Sequence, residues 1–217
     1  MAQAIDLWFV PLDGAARAED EVLLSIDERE RAQRLATPEL RSRYAAGRAG
    51  LRRVLAVSLG VPPATLSFRV GEHGKPELAA HGLQFNLAHS HGLALVAVGG
   101  EHALGVDLEF VRPDVDFEAL ARRFFPDEDR ALLARCAESD RRRLFFVLWT
   151  RKEALLKGLG RGMTAGLQVA PEDAARWSIR EIAAPPGFVA ALAVAGVAPG
   201  VRIREWPRDL DGGYRGE

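Results

Sequence analysis

A repeated order of predicted elements constrains the fold of this chain more than any other feature of its 217 residues. Helical periodicity predicts two long helices, over residues 38–59 and 140–158. Each is followed by three predicted strands, at 66–70, 83–87 and 93–98 after the first helix and at 177–182, 188–194 and 201–206 after the second. This order predicts an α+β fold of two pseudo-symmetric halves, each a long helix packed on a small, mainly antiparallel sheet. We expect the halves to span residues 1–101 and 102–217, with the chemistry at their junction.

Specific residues mark the ends of two predicted helices. Thr37 and Pro38 fit the N-cap and the first position of the first long helix, and Gly60 fits its end. Upstream, Ser25 followed by Glu28 fits the capping box of a shorter helix. The sequence therefore predicts a helical segment that precedes the first long helix.

Composition and the chain start bound the class of protein. The formal net charge of −1 gives no field that favours nucleic acid or a membrane surface as a partner. No apolar run is long enough to cross a bilayer, and the residues after Met1 lack the basic start of a signal peptide. The single cysteine, Cys136, excludes an internal disulfide, and its helical surroundings predict a buried structural thiol. We therefore expect a cytoplasmic protein.

The stretch Gly105-Val106-Asp107-Leu108-Glu109 carries two acids inside a predicted strand. Side chains two residues apart lie on the same face of a strand, so Asp107 and Glu109 project together while Val106 and Leu108 face a core. Two like charges on one face repel each other unless a cation lies between them. Oxygen ligands favour Mg²⁺ over zinc in that position.

The second long helix supplies a third carboxylate. Trp149, Glu153 and Lys157 recur every four residues and are predicted to lie opposite an apolar stripe of the helix. That stripe contains Leu144, Leu148, Leu155 and Leu159. Taken alone, Glu153 and Lys157 fit an ordinary exposed ion pair between residues i and i+4. With Asp107 upstream, we favour a site in which both side chains take part.

Basic groups in the first half fit a phosphate site. Arginines are dense between residues 29 and 53, and a planar guanidinium donates two parallel hydrogen bonds to phosphate. We expect most of them to be solvated, since a pocket needs only two or three. Lys75 precedes the rigid Pro76, which fixes its direction. His89 is predicted at a strand end, in the connection 88–92 of a hairpin, where a phosphate donor and a structural histidine both fit.

Together these residues describe chemistry at a phosphorus centre. Carboxylate-bound Mg²⁺ neutralises phosphoryl oxygens, a positioned base activates a hydroxyl, and basic side chains hold further phosphates. The sequence contains no glycine-rich P-loop and no kinase signature, which argues against ATP chemistry of those kinds.

Four stretches, in this order, resemble one known family. They are Gly74-Lys75-Pro76, Asn86-Leu87-Ala88-His89-Ser90, Gly105-Val106-Asp107-Leu108-Glu109, and the helical stretch from Trp149 to Lys157. The chain resembles the Sfp-type 4′-phosphopantetheinyl transferases over nearly its whole length. The resemblance implies the two-half fold, a monomer, and a reaction. In that reaction the phosphopantetheine arm of coenzyme A moves to a serine hydroxyl of an apo acyl, peptidyl or aryl carrier protein, and adenosine 3′,5′-bisphosphate is released.

The resemblance also implies roles for individual residues. Asp107, Glu109 and Glu153 would hold Mg²⁺, for which Mn²⁺ can substitute. Glu153 would be the base, and Asp107 and Lys157 would complete the catalytic set, with Lys157 on the pyrophosphate. The implied coenzyme A-binding residues are Arg31, Arg48, Lys75, Pro76, His89 and Lys157.

One position departs from the family pattern. Ala88 stands where the family usually has serine. A hydroxyl that could bond a coenzyme A phosphate is then missing, and we expect cofactor binding to be weaker by about 0.5–1.5 kcal/mol.

A surface for the carrier protein is a separate expectation. The stretch 117–125 follows the acidic strand closely and contains both arginines and aromatic residues. We expect Arg122 to face an acidic carrier, and one of Phe124 and Phe125 to be partly exposed.

Two rival functions stay open. One is a non-catalytic module that docks carrier proteins or coenzyme A, and the other is a Mg²⁺-dependent phosphohydrolase acting on coenzyme A. The three acids argue against a pure binding module, because such a cluster repels itself without a metal. The sequence does not say whether the carrier serves fatty acid, polyketide or nonribosomal peptide synthesis.

Overall fold

The computed structural model describes residues 4–13, 18–71, 75–161, 169–197 and 199–206. In the first half of the chain the elements are β1 (Ile5–Pro11), α1 (Ala18–Leu23), α2 (Ile26–Gln33), α3 (Pro38–Leu59), β2 (Phe68–Val70), β3 (Pro76–Leu78), β4 (Phe85–Ser90) and β5 (Leu93–Val98). In the second half they are β6 (Leu104–Phe110), α4 (Phe117–Phe124), α5 (Asp127–Arg135), α6 (Glu138–Gly158), α7 (Pro171–Ala174), β7 (Trp177–Ile182), β8 (Phe188–Ala195) and β9 (Val201–Arg204). The predicted α+β class is confirmed.

Two sheets carry most of the strands. The first has the order β4-β5-β1-β9 and the second the order β6-β8-β7, while β2 and β3 form a separate hairpin. In both larger sheets, the strand before the long helix pairs antiparallel with the second of two strands that follow it. The two halves therefore share a connection order, while their symmetry and the division at residues 101 and 102 stay predictions.

The predicted grouping of strands was wrong in two places. The last strand, β9, leaves the second half and pairs in parallel with β1 at the edge of the first sheet. The segment at 66–70 pairs with the short β3, which the sequence reading missed. Both errors have one cause: periodicity identifies a strand but carries no information about its partner.

The helix ends follow the predicted chemistry. The Thr37 hydroxyl accepts a hydrogen bond from the Leu40 amide at 3.2 Å, with Pro38 at the first helical position. At the other end of α3, Gly60 adopts a left-handed φ of 67°, which costs a glycine little. Ser25 and Glu28 form the capping box of α2.

Three apolar layers hold the elements together. One lies between α3 and the first sheet, and another fills the space between the two sheets, where Leu7 and Leu95 meet Val106 and Leu192. The third surrounds the first part of α6, where α4 and α5 pack against it. The site-bearing helix α6 thus lies between the second sheet and these two short helices.

Smaller predictions about the chain are settled by its last described segment and by its one cysteine. Trp206 packs against the core of the first half, while the predicted tail at 209–217 lies outside the described residues. Cys136 follows α5 directly and is half-buried, so the expectation of a buried thiol within a helix was wrong. Among the helices of the described residues, none combines the length and apolarity needed to cross a membrane.

Candidate active site

Strand β6 divides its side chains as its alternation predicts. Val106 and Leu108 are buried in the layer between the two sheets. Asp107 and Glu109 point to the opposite face, where α6 lies. The expected pair of carboxylates on one face is confirmed as geometry.

Gly105 explains how α6 comes close enough to reach these acids. It lies on the same face of β6 as Asp107, and a Cβ atom at this position would collide with the carbonyl oxygen of Ala154 and the amide nitrogen of Gly158. A Cβ atom on Gly158 would in turn collide with the Trp177 ring. Two glycines therefore let the helix backbone lie directly against the sheet, one turn from Glu153.

Lys157 and Glu153 reach from α6 toward the strand. The Lys157 ammonium donates a 2.6 Å hydrogen bond to Oδ1 of Asp107, whose residue is 4% exposed. Glu153 is 7% exposed. The alternative of an exposed ion pair between these two helix residues was therefore wrong.

The predicted apolar stripe of α6 was also wrong as a description of its buried face. The buried residues include Phe145, Phe146, Thr150 and Glu153, so Glu153 lies inside rather than opposite a core. A helix that packs on a sheet on one side and on helices on the other is buried over most of its circumference. Its periodicity then no longer separates an inner from an outer face.

Burial and mutual repulsion shape the charges of the three acids. Burial, together with the charges of Asp107 and Glu109, raises the pKa of Glu153 to about 7, against the opposing effect of Lys157. Burial also raises the pKa of Asp107, although Lys157 offsets part of this increase. The pKa of Glu109 is raised by burial and by Asp107. The three carboxyl groups thus interact electrostatically across two elements.

Two oxygen atoms in this cluster lack a hydrogen-bond donor. Oδ2 of Asp107 and Oε1 of Glu153 are both buried and unpaired. Within the described part of the chain, no three histidine, cysteine, aspartate or glutamate side chains are arranged so that they could hold a metal ion. The donor chemistry nevertheless fits a hard cation, because buried carboxylate oxygens without donors are the ligands that Mg²⁺ accepts.

Ser90 is a contact that the sequence reasoning missed. Its hydroxyl donates to Oε2 of Glu109 at 2.8 Å and accepts from the Phe110 amide at 3.1 Å. The residue stands in the quoted stretch 86–90, two positions from the alanine that received attention. Strand alternation from Asn86 would have placed it on the face toward the second half.

The first half brings Lys75 and His89 to the same junction. The Lys75 ammonium donates to the carbonyl oxygen of Leu104 at the start of β6, at 3.0 Å, and burial lowers its pKa. His89 is exposed and lies within β4, because the hairpin turns at His91 and Gly92 rather than over 88–92. Surrounding protein atoms and the charge of Lys157 lower the pKa of His89.

Pro76 opens β3 beside a surface cavity of about 130 Å³. Lys75, Arg69 and His81 also line this cavity, which gives it a basic wall. Gly74, the first residue of the predicted turn, lies outside the described residues.

The two arginines of the predicted phosphate set have other contacts. The Arg31 guanidinium lies 5.8 Å from the centroid of the Tyr44 ring. Arg48 donates to Glu28 at 2.6 Å and covers the Phe68 ring at 4.6 Å. Burial raises the pKa of Glu28, but Arg48, the Ser25 amide and Arg52 outweigh that effect and the net pKa is lowered. Arg48 thus compensates a buried acid that joins α2 to α3.

The reasoning about Ala88 was wrong. Its side chain is 2% exposed and packs in the layer between the sheets, not toward the surface that carries His89. A serine hydroxyl at this position would enter an apolar core instead of meeting a phosphate. The loss of affinity expected for this alanine therefore has no structural basis.

The stretch proposed for the carrier splits as expected for only one of its two aromatic rings. Phe125 is buried and stacks on Phe145 with ring centroids 5.1 Å apart. Phe124 is half-buried and meets Trp149 edge-on. Arg122 is exposed on α4.

Comparison with known proteins identifies the class. The family model of the 4′-phosphopantetheinyl transferase superfamily matches residues 103–192, the segment that contains β6 and α6. The 4′-phosphopantetheinyl transferase HetI of Nostoc sp. is 39% identical over 216 residues, which cover 90% of each chain. A putative 4′-phosphopantetheinyl transferase of Synechocystis sp. is 36% identical over 77% of this chain and 70% of its own length. A 4′-phosphopantetheinyl transferase of Bacillus subtilis is 31% identical over 70% and 68%.

These relatives share both halves of the fold with this protein, not only the segment that carries the acids. The chain belongs to the 4′-phosphopantetheinyl transferase superfamily. It is an enzyme of that class, a phosphopantetheinyl transferase.

Proposed function

We propose that this enzyme transfers the 4′-phosphopantetheine arm of coenzyme A to a serine hydroxyl of an apo carrier protein of the acyl, peptidyl or aryl type. The hydroxyl oxygen attacks the phosphorus next to the pantetheine arm. A new P–O bond forms while the pyrophosphate P–O bond breaks. The leaving group is adenosine 3′,5′-bisphosphate, which takes the electron pair of the broken bond. The observation that carries the proposal is the buried cluster of Asp107, Glu153 and Lys157 in a chain whose relatives are named for this activity.

Glu153 is the proposed general base. Burial, Asp107 and Glu109 raise its pKa to about 7, so its carboxylate is basic enough to take a hydroxyl proton near neutral pH. Its unpaired Oε1 is free to accept that proton directly or through a water. Transfer of the proton to Glu153 prevents a positive charge from developing on the attacking oxygen.

Asp107, Glu109 and Glu153 are the proposed ligands of Mg²⁺. When bound, the cation neutralises charge on the pyrophosphate oxygens. The unpaired oxygens of Asp107 and Glu153 support this assignment, since an ion would supply the partner that each lacks. We expect activity to require added Mg²⁺ or Mn²⁺, and full activity in excess chelator would contradict this part of the proposal.

Lys157 has two proposed tasks. Its ammonium compensates Asp107, as the 2.6 Å hydrogen bond supports. The same charge, on a side chain that is 30% exposed, is available to the pyrophosphate of the bound substrate. A cation held by a buried acid keeps its position, which suits a group that must meet charge developing in the transition state.

Lys75, Pro76 and His89 are the proposed binding residues for the adenosine-side phosphates of coenzyme A. Two observations support this: the basic wall of the cavity beside Pro76, and the approach of Lys75 to β6. Arg31 is a further candidate, since its guanidinium lies over Tyr44 at the surface of α2 and α3. Arg48 is the weakest member of the set, because Glu28 already neutralises it.

The carrier protein is proposed to dock on α4, and the enzyme to act as a monomer. The exposed Arg122 suits an acidic partner, and the half-buried Phe124 offers apolar contact beside it. Charge reversal at Arg122, with the carrier varied at fixed coenzyme A, tests this surface. An unaltered carrier dependence would place docking elsewhere.

The products distinguish the proposed transfer from simpler reactions. The test incubates several apo carrier proteins with coenzyme A, Mg²⁺ and the enzyme, and measures the intact mass of each carrier. A mass increase of one phosphopantetheine group is the expected result, and Glu153→Gln is the matched control. Free phosphopantetheine without a modified carrier would indicate a hydrolase, and no reaction with any carrier would indicate a binding module.

A further inference from the structure

The junction between the two halves brings together two strands from different sheets. β4 is the last strand of the first sheet and β6 the first strand of the second. β4 carries His89, and β6 carries Asp107 and Glu109. The relative position of the proposed phosphate-binding and acidic groups therefore depends on how these two strands are joined.

Three side chains of the first half reach the backbone or the acid of β6. Oδ1 of the buried Asn86 accepts from the Val106 amide at 2.9 Å. The Ser90 hydroxyl accepts from the Phe110 amide at 3.1 Å and donates to Glu109. Lys75 contacts the first residue of the strand, as described above.

These contacts have a fixed register. Asn86 and Val106 are 20 residues apart, and so are Ser90 and Phe110. Both acceptors are on the same face of β4, four residues apart, with the small and buried Ala88 between them. A constant offset means that the two strands run in parallel, with side chains acting where backbone groups join the strands of one sheet.

We propose that Asn86 and Ser90 are positioning residues, which form a side-chain ladder that holds β6 on β4 and fixes the carboxylates of β6 relative to His89. Ser90 has the larger share, because its one hydroxyl fixes both the Phe110 amide and the Glu109 carboxylate. A hydroxyl held by its own acceptor role donates in one direction, so it also orients that carboxylate. The link to turnover rests on the proposed function; the ladder itself does not.

Amide hydrogen exchange tests the ladder without any activity measurement. In Ser90→Ala, exchange at Phe110 is expected to accelerate roughly fivefold or more, the factor that corresponds to one lost hydrogen bond of about 1 kcal/mol. Exchange at Val106 should change less, and Asn86→Leu should reverse that order. Ser58→Ala is the matched control, since it removes a hydroxyl that bonds only within its own helix. Unchanged exchange at Phe110 in Ser90→Ala would overturn the ladder.

Kinetics well below the unfolding temperature test the positioning role. Ser90→Ala is expected to lower kcat roughly fivefold or more, and Ser90→Thr, which keeps the hydroxyl, to restore it to within about twofold. A kcat in Ser90→Ala equal to that of the parent would overturn positioning, as would Ser90→Thr failing to restore it. If the parent itself transfers nothing, the proposed function fails, and the exchange measurement still decides whether the ladder exists.

Discussion

Lys157 and Asp107 are fifty positions apart in sequence, yet the lysine ammonium donates a 2.6 Å hydrogen bond to the aspartate in a largely buried setting. Burial raises the pKa of Asp107, and Lys157 opposes that effect most strongly. The pair joins α6 to β6 and makes it possible to keep an ionised acid beside two others.

Removal of the lysine is expected to leave that acid uncompensated. At pH 8, Lys157→Met should lower the free energy of unfolding by about 1–3 kcal/mol, less than for a fully buried pair because the lysine side chain is 30% exposed. The double variant Asp107→Asn/Lys157→Met should recover most of this loss, because no unpaired charge remains. Urea unfolding of the parent and of both variants measures it. Equal stability in Lys157→Met and the parent would show that the ion pair contributes nothing.

Gly105 is expected to set the distance between α6 and the acidic strand. A Cβ atom at this position meets helix backbone rather than a flexible side chain, so Gly105→Ala should destabilise the fold by about 1–3 kcal/mol and lower turnover. Gly82→Ala is the matched control, because nothing lies within 4 Å of its added Cβ atom. Thermal unfolding and kcat measured together check this. A Gly105→Ala protein indistinguishable from Gly82→Ala would show that α6 can shift without cost.

Burial of Glu153 predicts how stability depends on pH in the metal-free protein. Its pKa is about 7 when folded, against an ordinary value of 4.5, so the folded state binds more protons than the unfolded state between these values. Stability therefore falls as pH rises from about 4.5 to about 7. Glu153→Gln should remove this contribution and be more stable at pH 8, by on the order of 2 kcal/mol. Denaturant unfolding at several pH values measures it. Parallel stability curves for the parent and the variant would rule out a raised pKa.

Coenzyme A binding is expected to depend on Lys75 and His89. Replacement of either by alanine should raise the KM for coenzyme A roughly tenfold, with a smaller effect on kcat, because their proposed phosphates are remote from the reacting bond. With dephospho-coenzyme A, the variants and the parent should differ less if these side chains hold the 3′-phosphate. A KM for coenzyme A that stays unchanged in both variants would move the phosphate site to the arginines near Arg31.

Local chemistry made much of the fold predictable. Thr37, Pro38 and Gly60 act within one helical turn of themselves, so their roles could be assigned from the sequence. The alternation around Asp107 likewise determined which side chains face the core. Strand partners could not be assigned, because β9 joins β1 across nearly the whole chain and no local pattern encodes that pairing.

The site was predictable in its residue types more than in its contacts. The acids of β6 and α6 were found from spacing, but Glu153 was placed on an exposed face because periodicity fails for a helix buried on two sides. Ala88 was treated as a ligand position, although strand alternation turns it into the core. Arg48 was assigned to phosphate since sequence cannot show that Glu28, twenty residues away, already neutralises it.

The most direct test of the central claim, that the buried Glu153 is the base of the transfer, is the pH dependence of kcat/KM for an apo carrier protein. For the parent, kcat/KM should rise with pH and level off at or below pH 7, because a cation bound beside the carboxylate lowers its pKa from about 7. In Glu153→Gln, this rise should disappear and kcat should fall by about 10²-fold or more. A Glu153→Gln enzyme that keeps near-parental kcat and the same rising limb would show that another group accepts the proton.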